Sequence, residues 1–347
     1  MKIIKAFGAQ NSSSKMSPLE IKRRDIFPND INIEILYCGV CHSDLHSARN
    51  DWGATMYPIV PGHEIIGKVQ AVGSLVRRFK LGDIVGVGCM VDSCGVCSSC
   101  AENLEQYCES GLGGTYGGVD KYLGGHNFGG YSKEIVVQEK FVLKIPQNID
   151  LKSSAPLLCA GITMWSPLKH WNVKPLDTVG IIGLGGLGHM GVKLANAMGA
   201  KVVMITTSAK KGEDAKKLGA TDVIISTDTA AMEKWTEKFD LLINTIPVGH
   251  DFNPYINLLK RDKTMVLVGA IELLEKMHGG LLIRRRRSIA GSLIGGIKET
   301  QEMLDFCGEH NITCDVEMIN MQEINQAYER MTKNDVKYRF VIDMKSL

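Results

Sequence analysis

The sequence predicts an α/β chain of two domains, in which a domain with a doubly wound parallel sheet interrupts a β-rich domain. Residues 1–145 contain short β-like runs punctuated by Gly and Pro, which is typical of a compact β-rich domain. From Asp177 onward, apolar runs alternate with segments long enough for crossover helices, which favours a parallel sheet covered by helices. We therefore assign residues 1–157 and 297–347 to the β-rich domain and residues 158–296 to the α/β domain.

Runs of apolar and β-branched residues predict the individual strands. In the β-rich domain they cover residues 31–37, 65–72, 83–87 and 133–137. In the α/β domain they cover residues 179–182, 201–206, 222–225, 239–243, 264–268 and 289–293. An amphipathic pattern predicts a helix over residues 298–309, and residues 338–344 alternate like a strand. This last strand is why we expect the end of the chain to return to the first domain.

The charge balance is nearly neutral, because 40 Lys and Arg face 38 Asp and Glu and give a net charge of +2. This balance does not favour nucleic acid or a membrane surface as a partner. We interpret the basic run at residues 284–287 as a solvated face rather than a nucleic-acid patch. The first residues lack the apolar core of a signal peptide, and no apolar run reaches the roughly 18 residues of a membrane span. We therefore expect a cytoplasmic protein with no nucleic-acid and no membrane partner.

A glycine-rich loop follows the strand predicted at residues 179–182. Its glycines fit the pattern Gly-x-Gly-x-x-Gly between a strand and a helix. The first Gly allows a tight turn, the second lets the backbone approach a pyrophosphate, and the third lets the helix pack closely on the strand. The alternating strands and helices around the loop favour dinucleotide binding over an unrelated Gly-rich turn. The predicted cofactor loop consists of Gly183, Leu184, Gly185, Gly186, Leu187 and Gly188.

The end of the next strand favours NADP over NAD. NAD sites usually place an acidic residue there to bind the ribose 2′-hydroxyl. Here the strand ends in two threonines and a serine, no acidic residue appears before Glu213, and two lysines suit a 2′-phosphate. The alternative is that the lysines lie on a solvated helix start and contact no cofactor. The predicted contacts are Thr206, Thr207, Ser208, Lys210 and Lys211.

Four of the ten cysteines are crowded into one short segment. In a large chain without an export signal, such crowding indicates metal binding rather than disulfides. Zinc favours four thiolates in a tetrahedron, and such closed sites are structural. An iron–sulfur cluster or a redox switch is the alternative interpretation. The predicted ligands are Cys94, Cys97, Cys100 and Cys108.

A second candidate metal site is spread along the sequence. Cys41 lies in the segment Gly-Val-Cys-His-Ser-Asp, His63 and Glu64 follow Pro-Gly, and Cys159 lies just before the nucleotide-binding segment. Each signal alone is weak, because a single Cys is usually a small core residue. Together, the two cysteines and the histidine offer the three protein ligands of a catalytic zinc with an open position, and Glu64 is an exchanging or supporting carboxylate.

The sequence resembles the zinc-dependent medium-chain dehydrogenases and is similar to their cinnamyl-alcohol-dehydrogenase-like, NADPH-dependent branch. The resemblance implies a GroES-like catalytic domain interrupted by a Rossmann domain, two zinc ions per chain and a homodimer. The matching segments run in the expected order through nearly the whole chain: residues 39–44, 61–67, 94–108, 158–163, 183–188, 206–211 and 291–294.

The resemblance also implies roles for single residues. Ser43 would bond the substrate oxygen and pass its proton through the cofactor ribose to His46, although a plain surface histidine is the alternative for His46. The loop after Ser208 is one residue shorter than in the plant enzymes, so counting back from Leu218 favours Lys211 for the 2′-phosphate and leaves Lys210 open. The same resemblance assigns Cys41, His63, Glu64 and Cys159 to the catalytic zinc and the four-cysteine segment to a structural zinc. Further cofactor positions that it implies are His42, Thr163, Thr245, Gly269, Ser292, Leu293 and Ile294.

These observations predict a zinc-dependent oxidoreductase that transfers hydride between NADP(H) and primary alcohol/aldehyde pairs. Trp52, Tyr57 and Leu293 are candidate pocket residues and favour aromatic or medium aliphatic aldehydes. One rival is a polyol or amino-alcohol dehydrogenase of the same fold. The other is a non-catalytic redox sensor that binds zinc and nucleotide, although a structural role needs no zinc with an open position.

Overall fold

A computed structural model describes residues 1–269, 273–274 and 276–347. Its strands, in chain order, are β1 (Lys2–Gly8), β2 (Ser17–Arg23), β3 (Asp30–Val40), β4 (Ile65–Val72), β5 (Ile84–Val87), β6 (Met90–Asp92), β7 (Gly113–Gly114), β8 (Glu134–Gln138), β9 (Leu143–Lys144), β10 (Thr178–Ile182), β11 (Lys201–Thr206), β12 (Asp222–Ile225), β13 (Phe239–Asn244), β14 (Leu259–Leu267), β15 (Ser288–Gly291), β16 (Val316–Asn320) and β17 (Arg339–Asp343). Its helices are α1 (His42–Arg49), α2 (Ser98–Ala101), α3 (Leu151–Ser154), α4 (Ala160–His170), α5 (Gly188–Ala197), α6 (Ala209–Lys217), α7 (Thr229–Glu233), α8 (Asn253–Ile256), α9 (Gly280–Ile283), α10 (Ile297–His310) and α11 (Ile324–Thr332).

The chain divides into two compact units. The first consists of Met1–Cys159 and Gly295–Leu347, and the second of Ala160–Ile294. The first unit contains a mixed sheet with the strand order β16-β17-β3-β4-β5-β9, and β8 pairs with β3 beside this path. Strand β17 runs antiparallel to β3, with Phe340 opposite Val40. The end of the chain therefore lies next to the strand that leads into Cys41.

Strand β3 is central because three neighbours pair with it. Its residues Ile31, Ile33 and Ile35 are buried and alternate with half-buried Asn32 and exposed Glu34, as expected for a strand with one face in the core. Burying an isoleucine side chain stabilises a fold by about 1.5–3 kcal/mol. Register shifts in the pairing of β3 with β4 fall between Asn32 and Ile33 and between Ile35 and Tyr37. The strand thus carries a large share of the core and ends directly at the candidate metal site.

The second unit is a parallel sheet with the strand order β12-β11-β10-β13-β14-β15. This order is that of a doubly wound dinucleotide-binding fold, in which the order reverses between β10 and β13. Buried Ile182, Phe239, Leu242 and Met265 form part of its core. The predicted fold class is confirmed. Strand β14 begins at Leu259, five residues before the predicted start at residue 264. The prediction missed this part of the strand because the four residues after Leu259 are charged and show no apolar pattern.

The interpretation of the basic run at residues 284–287 as a solvated face is wrong for Arg287. Its side chain is 3% exposed, and its guanidinium donates to the Leu259 carbonyl at 2.8 Å. Arg285 and Arg286, in contrast, form ion pairs at the surface. An arginine carries five donors, so it can satisfy carbonyl groups at the start of a buried strand. The run therefore contains one structural arginine.

None of the described helices combines the length and the apolar character that a membrane crossing requires.

Candidate active site

Cys41, His63, Glu64 and Cys159 lie together in the first unit, and one ligand atom from each falls within 4.8 Å of the others. All four residues are buried. The two sulfur atoms, Cys41 Sγ and Cys159 Sγ, are 4.0 Å apart. Two thiolates bound to one tetrahedral zinc at about 2.3 Å lie about 3.8 Å apart, so the donor set fits zinc. The hydrogen bond from Cys159 lowers the pKa of Cys41 well below its usual value, which favours the thiolate that metal binding needs.

A capping interaction holds Cys41 in place. Cys41 is the N-cap of α1, and its backbone N–H donates to Asp44 Oδ2 at 2.8 Å. Helix α1 ends at Arg49, and its C-cap Asn50 adopts the left-handed conformation with φ 61°. The segment Cys-His-Ser-Asp thus folds as a helix start, because the acid at the third helical position can bond back to the N-cap.

Asp44 also orients His63. The His63 Nδ1 atom lies 3.1 Å from Asp44 Oδ1, and both residues are buried. An ionised carboxylate only accepts hydrogen bonds, so Nδ1 carries the proton and Nε2 is left as the metal-binding nitrogen. The turn before His63 needs glycine, because Gly62 has φ 102° and a Cβ there would meet the Tyr131 ring at 2.7 Å.

Glu64 forms a buried ion pair with Arg339 from β17. Arg339 donates to Glu64 Oε1, whereas Glu64 Oε2 is buried without a hydrogen-bond partner among the described residues. Burial raises the pKa of Glu64 to about 7, and the charge of Arg339 opposes that rise. An unpaired buried carboxylate oxygen is costly, so Oε2 has the capacity to accept a further donor or to bind a cation.

Ser43 and His46 lie on α1 beside this cluster. Ser43 Oγ is 3.6 Å from Cys41 Sγ. His46 is partly exposed, its Nδ1 lies 2.8 Å from Asp51 Oδ2, and its ring lies 5.4 Å from the Trp52 ring. The His42 ring is 6.2 Å from that of His46. The helix therefore presents a hydroxyl near the cluster and an imidazole–carboxylate pair near water.

The four-cysteine segment forms a second, separate cluster. One Sγ atom from each of its cysteines lies within 4.8 Å of the others, and Cys94 Sγ is 3.9 Å from Cys100 Sγ. Backbone N–H groups of Val96 and Cys97 lower the pKa of Cys94 to about 6. The described cysteines are all free thiols. The segment therefore offers four sulfur ligands, and no histidine, to one metal ion.

The glycine-rich loop makes a tight turn between β10 and α5. Gly183 has φ 93°, which favours glycine at this turn. A Cβ at Gly188 would meet the Gly183 carbonyl oxygen at 2.0 Å, so the helix can pack this closely only with glycine. A Cβ at Gly185 would meet nothing within 4 Å, and this open space fits a pyrophosphate close to the backbone. Thr245 Oγ1 braces the turn by donating to the Ile182 carbonyl at 2.8 Å.

The other predicted cofactor positions of the second unit lie mainly at the carboxyl ends of its strands. Thr206 ends β11, and its buried side chain accepts from the Ser208 N–H at 3.3 Å. Ser208 is the N-cap of α6, where its hydroxyl accepts from the Lys211 N–H at 3.4 Å. Ligands of open parallel sheets bind at this edge. Thr207 follows β11, Lys210 and Lys211 lie in the first turn of α6, Thr245 follows β13, Gly269 follows β14, Ser292, Leu293 and Ile294 follow β15, and Thr163 is buried in α4.

Sequence reasoning missed four residues of the site: Asp44, Asp51, Tyr131 and Arg339. The two aspartates lie within ten residues of Cys41, so an acid near a candidate ligand was the available signal. Tyr131 donates to Asp44 Oδ2 at 3.2 Å. Neither periodicity nor spacing connects Tyr131 or Arg339 to the cluster.

A doubly wound dinucleotide-binding sheet and a buried set of two thiols, an imidazole and a carboxylate define a metal-dependent dehydrogenase. The chain belongs to the zinc-binding alcohol dehydrogenase family. Residues 27–147 match the alcohol dehydrogenase GroES-like domain, and residues 186–309 match the zinc-binding dehydrogenase domain.

Two relatives extend over essentially the whole chain. The sequence is 54% identical to aldehyde reductase YahK of Escherichia coli, covering 99% of both chains. It is 49% identical to NADP-dependent alcohol dehydrogenase C of Mycobacterium bovis, covering 100% of both.

Solved structures of two cinnamyl alcohol dehydrogenases share this fold. A cinnamyl alcohol dehydrogenase of Sorghum bicolor superimposes with a TM-score of 0.96 at 42% identity, over 99% of this chain and 98% of that one. The cinnamyl alcohol dehydrogenase of Helicobacter pylori, solved with NADP(H), superimposes with a TM-score of 0.92 at 41% identity over the same shares.

Proposed function

We propose that this protein is a zinc-dependent, NADP(H)-using oxidoreductase that interconverts aldehydes and primary alcohols and acts as an aldehyde reductase. The observation that carries this proposal is the buried cluster of Cys41, His63, Glu64 and Cys159, in which one carboxylate oxygen has no protein partner among the described residues. The family membership and the NADP-dependent relatives support the reaction class.

Cys41, His63 and Cys159 would hold the catalytic zinc, and Glu64 would supply an exchangeable fourth ligand. When bound there, zinc supplies a Lewis acid for a carbonyl or alcohol oxygen. Asp44 would orient His63 for metal binding, because it holds a proton on Nδ1, directs Nε2 to the metal and makes that nitrogen a more basic ligand. The four thiols of the second cluster would hold a structural zinc, since such a site leaves no open position for substrate.

Protein groups on α1 would handle the proton of the reaction. The Ser43 hydroxyl can donate and accept at the same time, so it can pass a proton to or from the substrate oxygen. His46 reaches water, because its side chain is 34% exposed, and an imidazole can both accept and donate a proton. Asp51 holds His46 Nδ1 and leaves Nε2 to exchange protons.

The second unit would select NADP(H) by charge. The N-cap Ser208 occupies the position after β11 where an NAD site carries an acid. Lys211 is half-buried on the first turn of α6 and Lys210 is exposed on it. Both positive charges would attract a 2′-phosphate at the amino end of that helix.

The direct test is oxidation of NADPH by the zinc-loaded enzyme with cinnamaldehyde, benzaldehyde and medium-chain aliphatic aldehydes. Cys159→Ala is expected to abolish turnover and keep NADPH binding, because it removes one ligand from the cluster and leaves the second unit unchanged. Cys307→Ala is the matched control, since Cys307 is a buried cysteine outside both clusters. Activity of Cys159→Ala near the wild-type value would overturn the assignment of the catalytic site.

A polyol dehydrogenase is the second candidate, because one relative with 48% identity is a probable mannitol dehydrogenase of Medicago sativa. Oxidation of mannitol with NADP⁺ tests it in the same assay. A kcat/KM for mannitol above that of every aldehyde would favour this candidate.

The homodimer, the cytoplasmic location and the count of two zinc ions per chain are also proposals. Sedimentation analysis of the purified protein tests the dimer, and fractionation of its cells tests the location.

A further inference from the structure

A buried tyrosine contacts Asp44, which in turn contacts Cys41 and His63, and this tyrosine has no role in the proposed reaction. Tyr131 is 0% exposed, and its hydroxyl donates to Asp44 Oδ2 at 3.2 Å. Burial and the Asp44 carboxylate raise the pKa of Tyr131 well above its usual value, so the hydroxyl stays protonated and remains a donor.

Each oxygen of the Asp44 carboxylate accepts one backbone and one side-chain hydrogen bond. Oδ1 accepts from the Gly62 N–H at 3.0 Å and from His63 Nδ1 at 3.1 Å. Oδ2 accepts from the Cys41 N–H at 2.8 Å and from Tyr131 at 3.2 Å. Asp44 therefore ties together the segments that carry two different metal ligands, and the tyrosine hydroxyl is the donor that comes from outside them.

The backbone around Tyr131 is fixed independently of its hydroxyl. The Tyr131 N–H donates to the Pro61 carbonyl at 2.9 Å, and the Gly130 N–H donates to the Gly62 carbonyl at 2.7 Å. The ring also lies against the position where a Cβ at Gly62 would sit. The hydroxyl therefore reaches Asp44 from a rigid segment that lies beside the loop carrying His63.

We propose that Tyr131 is a positioning residue of the catalytic metal site, whose hydroxyl fixes the Asp44 carboxylate and thereby the orientation of Cys41 and His63. This inference rests on the proposed function, because it takes the cluster to be the zinc site. Partners that orient a metal ligand from behind typically change metal affinity by 10- to 100-fold when they are lost. Tyr131 is one step further from the metal than Asp44, so the lower end of that range is expected.

The first test is the metal affinity of Tyr131→Phe, measured by competition between the full-length protein and a zinc chelator. This variant keeps the ring and removes one donor from a buried carboxylate. We expect the affinity of the catalytic cluster to fall about tenfold, while the four-cysteine site keeps its affinity. The control is Tyr122→Phe, because the Tyr122 hydroxyl accepts from Gln138 at the surface. Unchanged affinity in Tyr131→Phe would overturn the proposal.

Two further readouts separate positioning from simple stability. Cobalt substituted for zinc reports ligand geometry through its visible spectrum, and the spectrum of Tyr131→Phe is expected to differ from that of the wild type. In an Asp44→Asn background, Tyr131→Phe should not lower the metal affinity further, because both changes act through the same carboxylate. A lower thermal stability with unchanged metal affinity and cobalt spectrum would show that Tyr131 only packs. A wild-type cluster that binds neither zinc nor cobalt would overturn the proposed function itself.

Discussion

Asp51 Oδ2 lies 2.8 Å from His46 Nδ1, so the histidine at the exposed end of the proposed proton path has a carboxylate partner. The pair is partly exposed, with 34% of the His46 side chain accessible. It has the arrangement of a carboxylate that orients a general base.

Asp51→Asn is expected to lower kcat by about tenfold, a small part of the 10²–10⁴-fold that general acid–base catalysis typically contributes. An asparagine can still accept from Nδ1 but no longer stabilises the imidazolium. Steady-state reduction of benzaldehyde with NADPH measures the effect. In a His46→Gln background, Asp51→Asn should not lower kcat further. An equal loss of kcat in that background would show that Asp51 does not act through His46.

Arg339→Met is expected to destabilise the protein by about 3–5 kcal/mol, because it leaves the Glu64 carboxylate buried without its cation. Urea denaturation of the zinc-free protein measures the loss without a contribution from the metal. Arg330→Met is the control, since Arg330 pairs with Glu317 and Asp335 near the surface and such pairs contribute about 1 kcal/mol or less. Similar losses in the two variants would contradict a special role for the buried pair.

Chelation is expected to remove the two proposed zinc ions in a fixed order, the catalytic ion first. The four-thiolate site has no open position through which a chelator can begin an exchange, and its segment folds around the metal. Elemental analysis during dialysis against a chelator, together with activity, measures the order. Cys97→Ser should lower the unfolding temperature more than it changes the activity of the folded fraction. Iron in the purified protein, or a single zinc per chain, would contradict this prediction.

Ser208→Asp is expected to reverse cofactor preference. Aspartate is as good an N-cap as serine, so α6 should keep its start while like charge faces the 2′-phosphate. The wild type should favour NADPH over NADH by on the order of a hundredfold in kcat/KM, because each charge-assisted contact contributes roughly 1.5–3 kcal/mol before the loss from exposure. Lys211→Ala and Lys210→Ala, compared with each other, identify the lysine that contacts the phosphate. Equal use of both cofactors by the wild type would mean that the lysines only begin a solvated helix.

Arg287→Met is expected to destabilise the protein by about 1–3 kcal/mol, since it leaves the buried Leu259 carbonyl without its donor. Arg284→Met, at an exposed position of the same run, should change stability by less than about 0.5 kcal/mol. Thermal unfolding of the two variants measures the difference, and equal values would restore the solvated interpretation for the whole run.

Much of the fold could be predicted because its signals are local. Strand β11 begins and ends where the apolar pattern predicts, and helix α10 extends the predicted 298–309 by one residue at each end. The four-cysteine segment and the glycine-rich loop are also visible in short windows, because the chemistry proposed for them requires particular residue types at fixed spacings.

The contacts that support the metal cluster could not be predicted, because they join distant segments through ordinary residue types. Glu64 and its partner Arg339 are 275 positions apart, and an arginine in a strand signals no function by itself. Tyr131 and Asp44 are 87 positions apart, and tyrosine is common in β-rich cores. The role of Asp51 could have been predicted, since an acidic residue five positions from the candidate relay histidine His46 is a local signal.

The insertion of the second unit between Cys159 and Gly295 sets the order in which the site can mature on the ribosome. Glu64 emerges 275 residues before Arg339, which at bacterial or eukaryotic elongation rates is a delay on the order of tens of seconds. During that interval the nascent first unit lacks both β17 and the cation that neutralises its buried acid. The four candidate ligands therefore emerge before the second unit, whereas the buried ion pair of Glu64 forms only after that unit has been synthesised, so a chain that stalls before β17 lacks this pair.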